Sequence, residues 1–156
     1  MTPTFASAIR PGADELTAFL RARHRCVLIT RRADGSLQSS PVSCGIDETG
    51  RLLISTYPER AKVANVRRHP EVSACILSDD WNGPYVHVDG TAEVLDLPDA
   101  LDDFVTYFRS ISGEHSDWNE YRQAMVHQGK CLIRLTVRHW GPIATGGFPR
   151  RLDGSS

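Results

Sequence analysis

A series of apolar segments, most of them short and separated by turn residues, constrains this chain more than any other feature. Cys26 to Thr30, Arg51 to Thr56, Val72 to Ser78, Tyr85 to Leu95 and Lys130 to Arg138 are rich in Val, Ile, Leu and Cys. Turns such as Ala33-Asp34-Gly35-Ser36 and Asp47-Glu48-Thr49-Gly50 divide them. Segments of this kind read as strands. Gln38 to Ile46 alternates loosely, and Pro41 within it points to an edge strand or a bulge. Gly90 marks a bulge or kink in the Tyr85–Leu95 strand. Cys131, Ile133, Leu135 and Val137 alternate with polar residues, which predicts one face on a core and one in solvent.

Helical periods are set among these strands. Leu16, Phe19 and Leu20 define a helix over about Ala13 to Arg23, and a short one is expected over Glu59 to His69, ended by Pro70. Leu101, Phe104, Val105, Phe108 and Ile111 give a helix from Pro98 whose apolar face packs on the strands. Asp117 reads as the N-cap of another, with Trp118, Tyr121 and Met125 on one stripe. Antiparallel strands with helices between them predict a mostly β, closed or nearly closed small barrel. The chain has 156 residues, enough for one domain, placed at 1–145. Residues 146–156, rich in Gly, Arg and Ser, read as a loose tail.

Composition excludes several classes. A net charge of −1 leaves no basic field for nucleic acid or an anionic membrane. No apolar run approaches the ~20 residues of a membrane span, and the start lacks a signal-peptide pattern. Cys26, Cys44, Cys75 and Cys131 form no C-x-x-C pair, so neither a zinc site nor a redox dithiol is indicated. Buried free thiols fit a cytoplasmic protein. No nucleophile elbow, zinc-protease motif or glycine-rich nucleotide fingerprint is present.

Chemistry concentrates at one junction. The apolar strand ends in Ser55 and Thr56, turns at Pro58, and enters a helix whose first turn carries Arg60 and Lys62. A helix N-terminus offers free N–H groups and a favourable dipole, to which the cations add, so a phosphate-bearing ligand is expected there. Arg67 and Arg68 suit either an ion pair or the C-terminal end of the helix. Asn65 suits a brace between helix and strands. Trp81 and Tyr85 flank a Gly-Pro loop and need cover, from a ligand ring or a second subunit. His87 and Asp89 share a strand face as a polar pair, without a third metal ligand.

Three stretches resemble the split β-barrel flavin- and deazaflavin-dependent oxidoreductases, the group that includes pyridoxamine 5′-phosphate oxidase. They are Arg60-Ala61-Lys62 with Asn65, Arg67-Arg68 and Pro70; Trp81 to Gly90 with Thr91-Ala92-Glu93-Val94; and Tyr107-Phe108-Arg109 through Ser112–Trp118 to Tyr121–Met125. The last is similar to the actinobacterial branch that uses the deazaflavin coenzyme F420. The resemblance implies a small split barrel with flanking helices, a homodimer enclosing its cofactor at the interface, and reduction of a small electron-poor acceptor such as an enone, quinone or tetrapyrrole. It implies that Arg60 and Lys62 hold the cofactor's phosphate and acidic tail, aided by Ser55 and Thr56. Gln38, Ser39, Pro41 and Val42 would line the ring, and Trp81, Tyr85 and Trp140 would come from the partner. FMN in place of F420, or binding of a cofactor or tetrapyrrole without turnover, are the alternatives.

Overall fold

The computed structural model describes residues 3–154. In chain order it opens with β1 (Ser7–Ile9), α1 (Ala13–Arg21), β2 (Arg25–Arg31), β3 (Leu37–Ser43), β4 (Gly45–Ile46) and β5 (Leu52–Thr56). Then come α2 (Ala61–Arg68), β6 (Glu71–Leu77), β7 (Val86–Leu95), α3 (Leu101–Ser112) and α4 (Trp118–Gln128). β8 (Cys131–Trp140), β9 (Ile143–Thr145) and a 3-10 turn, Arg150–Leu152, follow.

Seven strands form one antiparallel sheet in the order β3-β2-β6-β7-β8-β5-β4. The sheet curls until β3 lies against β5, and its end strands stay unpaired with each other. The result is a mostly β half-barrel with four α-helices. Alternate side chains of β2, β6 and the first half of β7 fill its interior, namely Cys26, Leu28, Val72, Ala74, Ile76, Val86 and Val88. Leu16, Phe19 and Leu20 of α1 join the same core. β3 is an edge strand, which is why Pro41 is tolerated in it.

Gly90 sits where the β7–β8 register slips, and a Cβ there would fall 2.0 Å from Thr136 O. Only glycine allows the two strands to approach so closely. β8 departs from simple alternation, because Cys131, Leu132 and Ile133 are all buried. Leu132 points to the outer face and packs with Phe104, Tyr121 and Met125 in a second core that α3 and α4 close. The apolar face of α3 therefore meets α4 and the outside of the sheet, not the barrel interior. Two helices begin later than the pattern suggests, α2 at Ala61 and α3 at Leu101, and α1 stops at Arg21.

β1 and β9 form a separate two-stranded ribbon, which the sequence pattern did not mark. Mutual backbone bonds between Tyr85 and Ala144 (2.9 and 3.0 Å) tie it to β7. The stretch read as a loose tail is anchored at its start, since Phe148 N–H donates to Thr4 O and Ala6 N–H to Phe148 O (both 2.9 Å). Its last two residues, 155 and 156, lie outside the described part of the chain.

Candidate functional site: an open helix terminus beside a half-buried lysine

β5 ends at Thr56, and the turn that follows closes with Arg60 N–H donating to Tyr57 O (3.0 Å). Arg60 is the N-cap of α2, in extended geometry, and no side chain caps the helix. Among the described residues the N–H groups of Ala61 and Lys62 have no hydrogen-bond partner. No acidic residue occupies the first turn. The helix therefore presents unsatisfied donors and the positive end of its dipole.

Lys62 is half-buried, and burial together with the charge of Arg60 holds its amine below the usual lysine range. Such a cation is poorly solvated and repelled, so an arriving anion relieves both penalties. Thr56 is buried and pairs across the ladder with Cys131. Burial, reinforced by Asp96, pushes the Cys131 thiol up to about 11, so it stays neutral beside the amine.

A buried amide holds the helix in place. Asn65 Nδ2 donates to Thr30 Oγ1 (3.1 Å) on β2 and to Gln38 Oε1 (2.9 Å) on β3. Asn65 is thus the brace the sequence suggested. Arg68 donates to Asn65 Oδ1 (3.4 Å), and Arg67 pairs in a fork with both Asp96 oxygens (3.0 and 2.9 Å). Both arginines thus bond within their own chain.

The other sequence-predicted residues are distributed differently. Ser55 and Thr56 are neighbours in a strand and point to opposite faces. Thr56 shares the inner face with Cys131, whereas Ser55 shares the outer face with Leu132, under α3, where its buried Oγ has no partner. Along β3 the same alternation divides the four ring-lining candidates. Gln38 and Val42 are half-buried on one face, and Ser39 and Pro41 are exposed on the other.

Trp81 and Tyr85 are exposed and line a cleft of about 870 Å³. Neither Arg60 nor Lys62 lines that cleft, so one chain keeps the aromatic pair apart from the helix terminus in separate surfaces. Trp140 is committed to its own chain, with Nε1 donating to Pro11 O (2.9 Å). Asp89 Oδ1 accepts from His87 Nε2 (2.8 Å) and Ser73 Oγ (2.5 Å). The hydrogen bonds from Ser73 and then His87 hold the Asp89 carboxyl below its ordinary range. Among the described residues no group of three His, Cys, Asp or Glu is placed to hold a metal.

Asp117 caps α4 by accepting from Asn119 N–H (3.1 Å) and Glu120 N–H (3.2 Å), while Glu114 pairs with Arg109 (2.6 Å). Those turn residues are structural. Phe148 in the cleft was missed, because no local pattern links it to residues more than sixty positions earlier.

A family model described as pyridoxamine 5′-phosphate oxidase matches residues 13–144. The chain belongs to that family. Among solved structures, this member of the pyridoxamine 5′-phosphate oxidase family is similar to the conserved hypothetical protein Rv2991 of Mycobacterium tuberculosis, at 21% identity and a TM-score of 0.71. The match covers 88% of this chain and 87% of the other. A structure titled F420 reductase matches at 18% identity and a TM-score of 0.60, covering 85% of this chain and 98% of the other. A haem-binding protein of Mycobacterium smegmatis matches at 17% identity and 0.63, over 85% of this chain and 54% of its own. At these identities the likeness establishes the half-barrel fold.

Proposed function

We propose that this protein is an oxidoreductase of the pyridoxamine 5′-phosphate oxidase family that binds coenzyme F420 in preference to FMN and reduces a small, electron-poor organic acceptor. The observation that carries the reading is the uncapped N-terminus of α2, with Lys62 half-buried beside it. A phosphate fits there, because it would satisfy free N–H groups and a poorly solvated cation together. A bound flavin or deazaflavin supplies the hydride chemistry, so the chain needs neither a nucleophile nor a metal.

The residues of this chain bind and orient. Arg60 and Lys62 hold the anionic part, Thr56 donates or accepts at the inner face, and Gln38 and Val42 offer a half-buried wall along β3. Ser39, Pro41, Trp81 and Tyr85 face away from that wall or lie in the separate cleft, so they would serve the cofactor of a second copy. A homodimer that brings these surfaces together is part of the proposal.

The test is a pair of fluorescence titrations with oxidised F420 and with FMN. Tighter binding of F420, weakened in Lys62→Ala, supports the reading. Tighter binding of FMN moves the protein to flavin chemistry, and binding of neither rejects the cofactor assignment.

A further inference from the structure

We infer that the cleft between the 79–84 loop and the two chain ends is a binding site for a flat, uncharged, conjugated ring, and that Phe148 sets what fits there. Identifying that ring as the acceptor rests on the proposed reductase reading; the binding itself does not.

The lining carries the argument. Trp81 is 86% exposed and Phe148 54%, and together with Tyr85 they surround one cleft floored by Cys75 and Leu77. Its volume, about 870 Å³, is that of a small-molecule site. Among the described residues no Asp, Glu, Lys, Arg or His lines it. Burial raises the Cys75 thiol, so that group too is neutral. The α2 terminus, by contrast, is cationic and built for phosphate. A charged ligand would find no counter-charge in the cleft, whereas a planar conjugated one finds three rings to pack against.

Both walls are held by contacts within the chain. Gly147 has φ +134°, and a Cβ on it would fall 2.5 Å from Thr4 O, so only glycine lets the chain pass there. The Phe148 and Ala6 backbone bonds lock the crossing, and Phe5 packs on Phe148 with ring centroids 6.4 Å apart. Opposite, Ser78 Oγ donates to Pro84 O (2.5 Å) and Gly83 N–H to Asp80 O (2.9 Å), closing the loop that carries Trp81. A site preformed in this way spends little of its binding energy on ordering.

The experiment is equilibrium dialysis of the full chain against menadione, a flat uncharged quinone. Saturable binding weakened about tenfold in Phe148→Ala, the scale of one lost aromatic contact, is expected. Gly147→Ala, which displaces the wall by another route, is expected to weaken it as well, while Lys62→Ala leaves it unchanged. Equal affinity in wild type and in a folded Phe148→Ala protein overturns the proposal. Sedimentation of the same variant separates a direct loss from an indirect one: weakened binding that appears only because Phe148→Ala separates a dimer into monomers overturns the role given to Phe148. The expected pattern in a protein that binds neither F420 nor FMN supports the cleft and rejects the reductase reading.

Discussion

The uncapped, cationic start of α2 and the aromatic cleft are built on opposite plans. The helix start comes from one continuous stretch, 55–62, in which strand, turn and helix follow directly in the chain. The cleft joins residues 3–4, 75–85 and 146–148, which meet only after β1 pairs with β9 and Tyr85 pairs with Ala144. One is cationic and locally encoded; the other is uncharged and assembled by long-range pairing. A locally encoded site depends on its own turn and on the brace that holds it, whereas an assembled site depends on every contact that closes it.

The largest effect tests whether either region depends on the outer core. Phe104 of α3 is fully buried with Tyr121 and Met125 of α4 and Leu132 of β8. Phe104→Ala is expected to cost about 3–5 kcal/mol in urea unfolding. Cofactor and menadione affinities of the folded fraction should be unchanged. Loss of one affinity alone would show that the helix pair supports that region directly.

Asn65→Ala should separate the two regions. It removes the donor to Thr30 and Gln38 and leaves the buried Thr30 hydroxyl and the half-buried Gln38 oxygen without it, a cost of about 1–3 kcal/mol. With α2 unbraced, cofactor affinity should fall while menadione binding holds. Parallel losses would mean the half-barrel couples the two sites.

Lys62→Ala should weaken cofactor binding by about 1–3 kcal/mol, the scale of a charge-assisted hydrogen bond, with the fold retained. Arg60→Ala, at an exposed position, should weaken it less.

The smallest expected effect is a pH dependence of the free protein. Burial and Arg60 hold the Lys62 amine below its normal range, so the folded chain binds that proton less tightly than the unfolded chain does. Stability of the free protein should therefore rise as pH enters the lysine range, and this increment should be missing in Lys62→Ala. Urea midpoints from neutral pH to about 10 measure it. A normal Lys62 would leave both proteins with the same slope.

Much of the fold was legible because alternation and turn residues are local signals. The strand segments, the Gly90 bulge, the edge position of Pro41 and the Asp117 cap all follow from residues close in the chain. Short-range patterns could not show that Leu132 is buried on the outer face, because that depends on α3 and α4 folding back over β8. Nor could they divide the candidates of β3 by face, since one residue of register decides which of Gln38 and Ser39 turns inward.

The sequence by itself determined the strand-to-helix junction with Arg60 and Lys62, because backbone geometry at a helix start and the charge of neighbouring side chains need no distant partner. Only the tertiary structure decided that Ser55 and Thr56 part company, that Asn65 ties α2 to two strands, and that Phe148 stands across a cleft from Trp81. Each of those depends on which strands pair and in what register. Such pairing is set by the burial of the whole apolar pattern at once, not by any single segment.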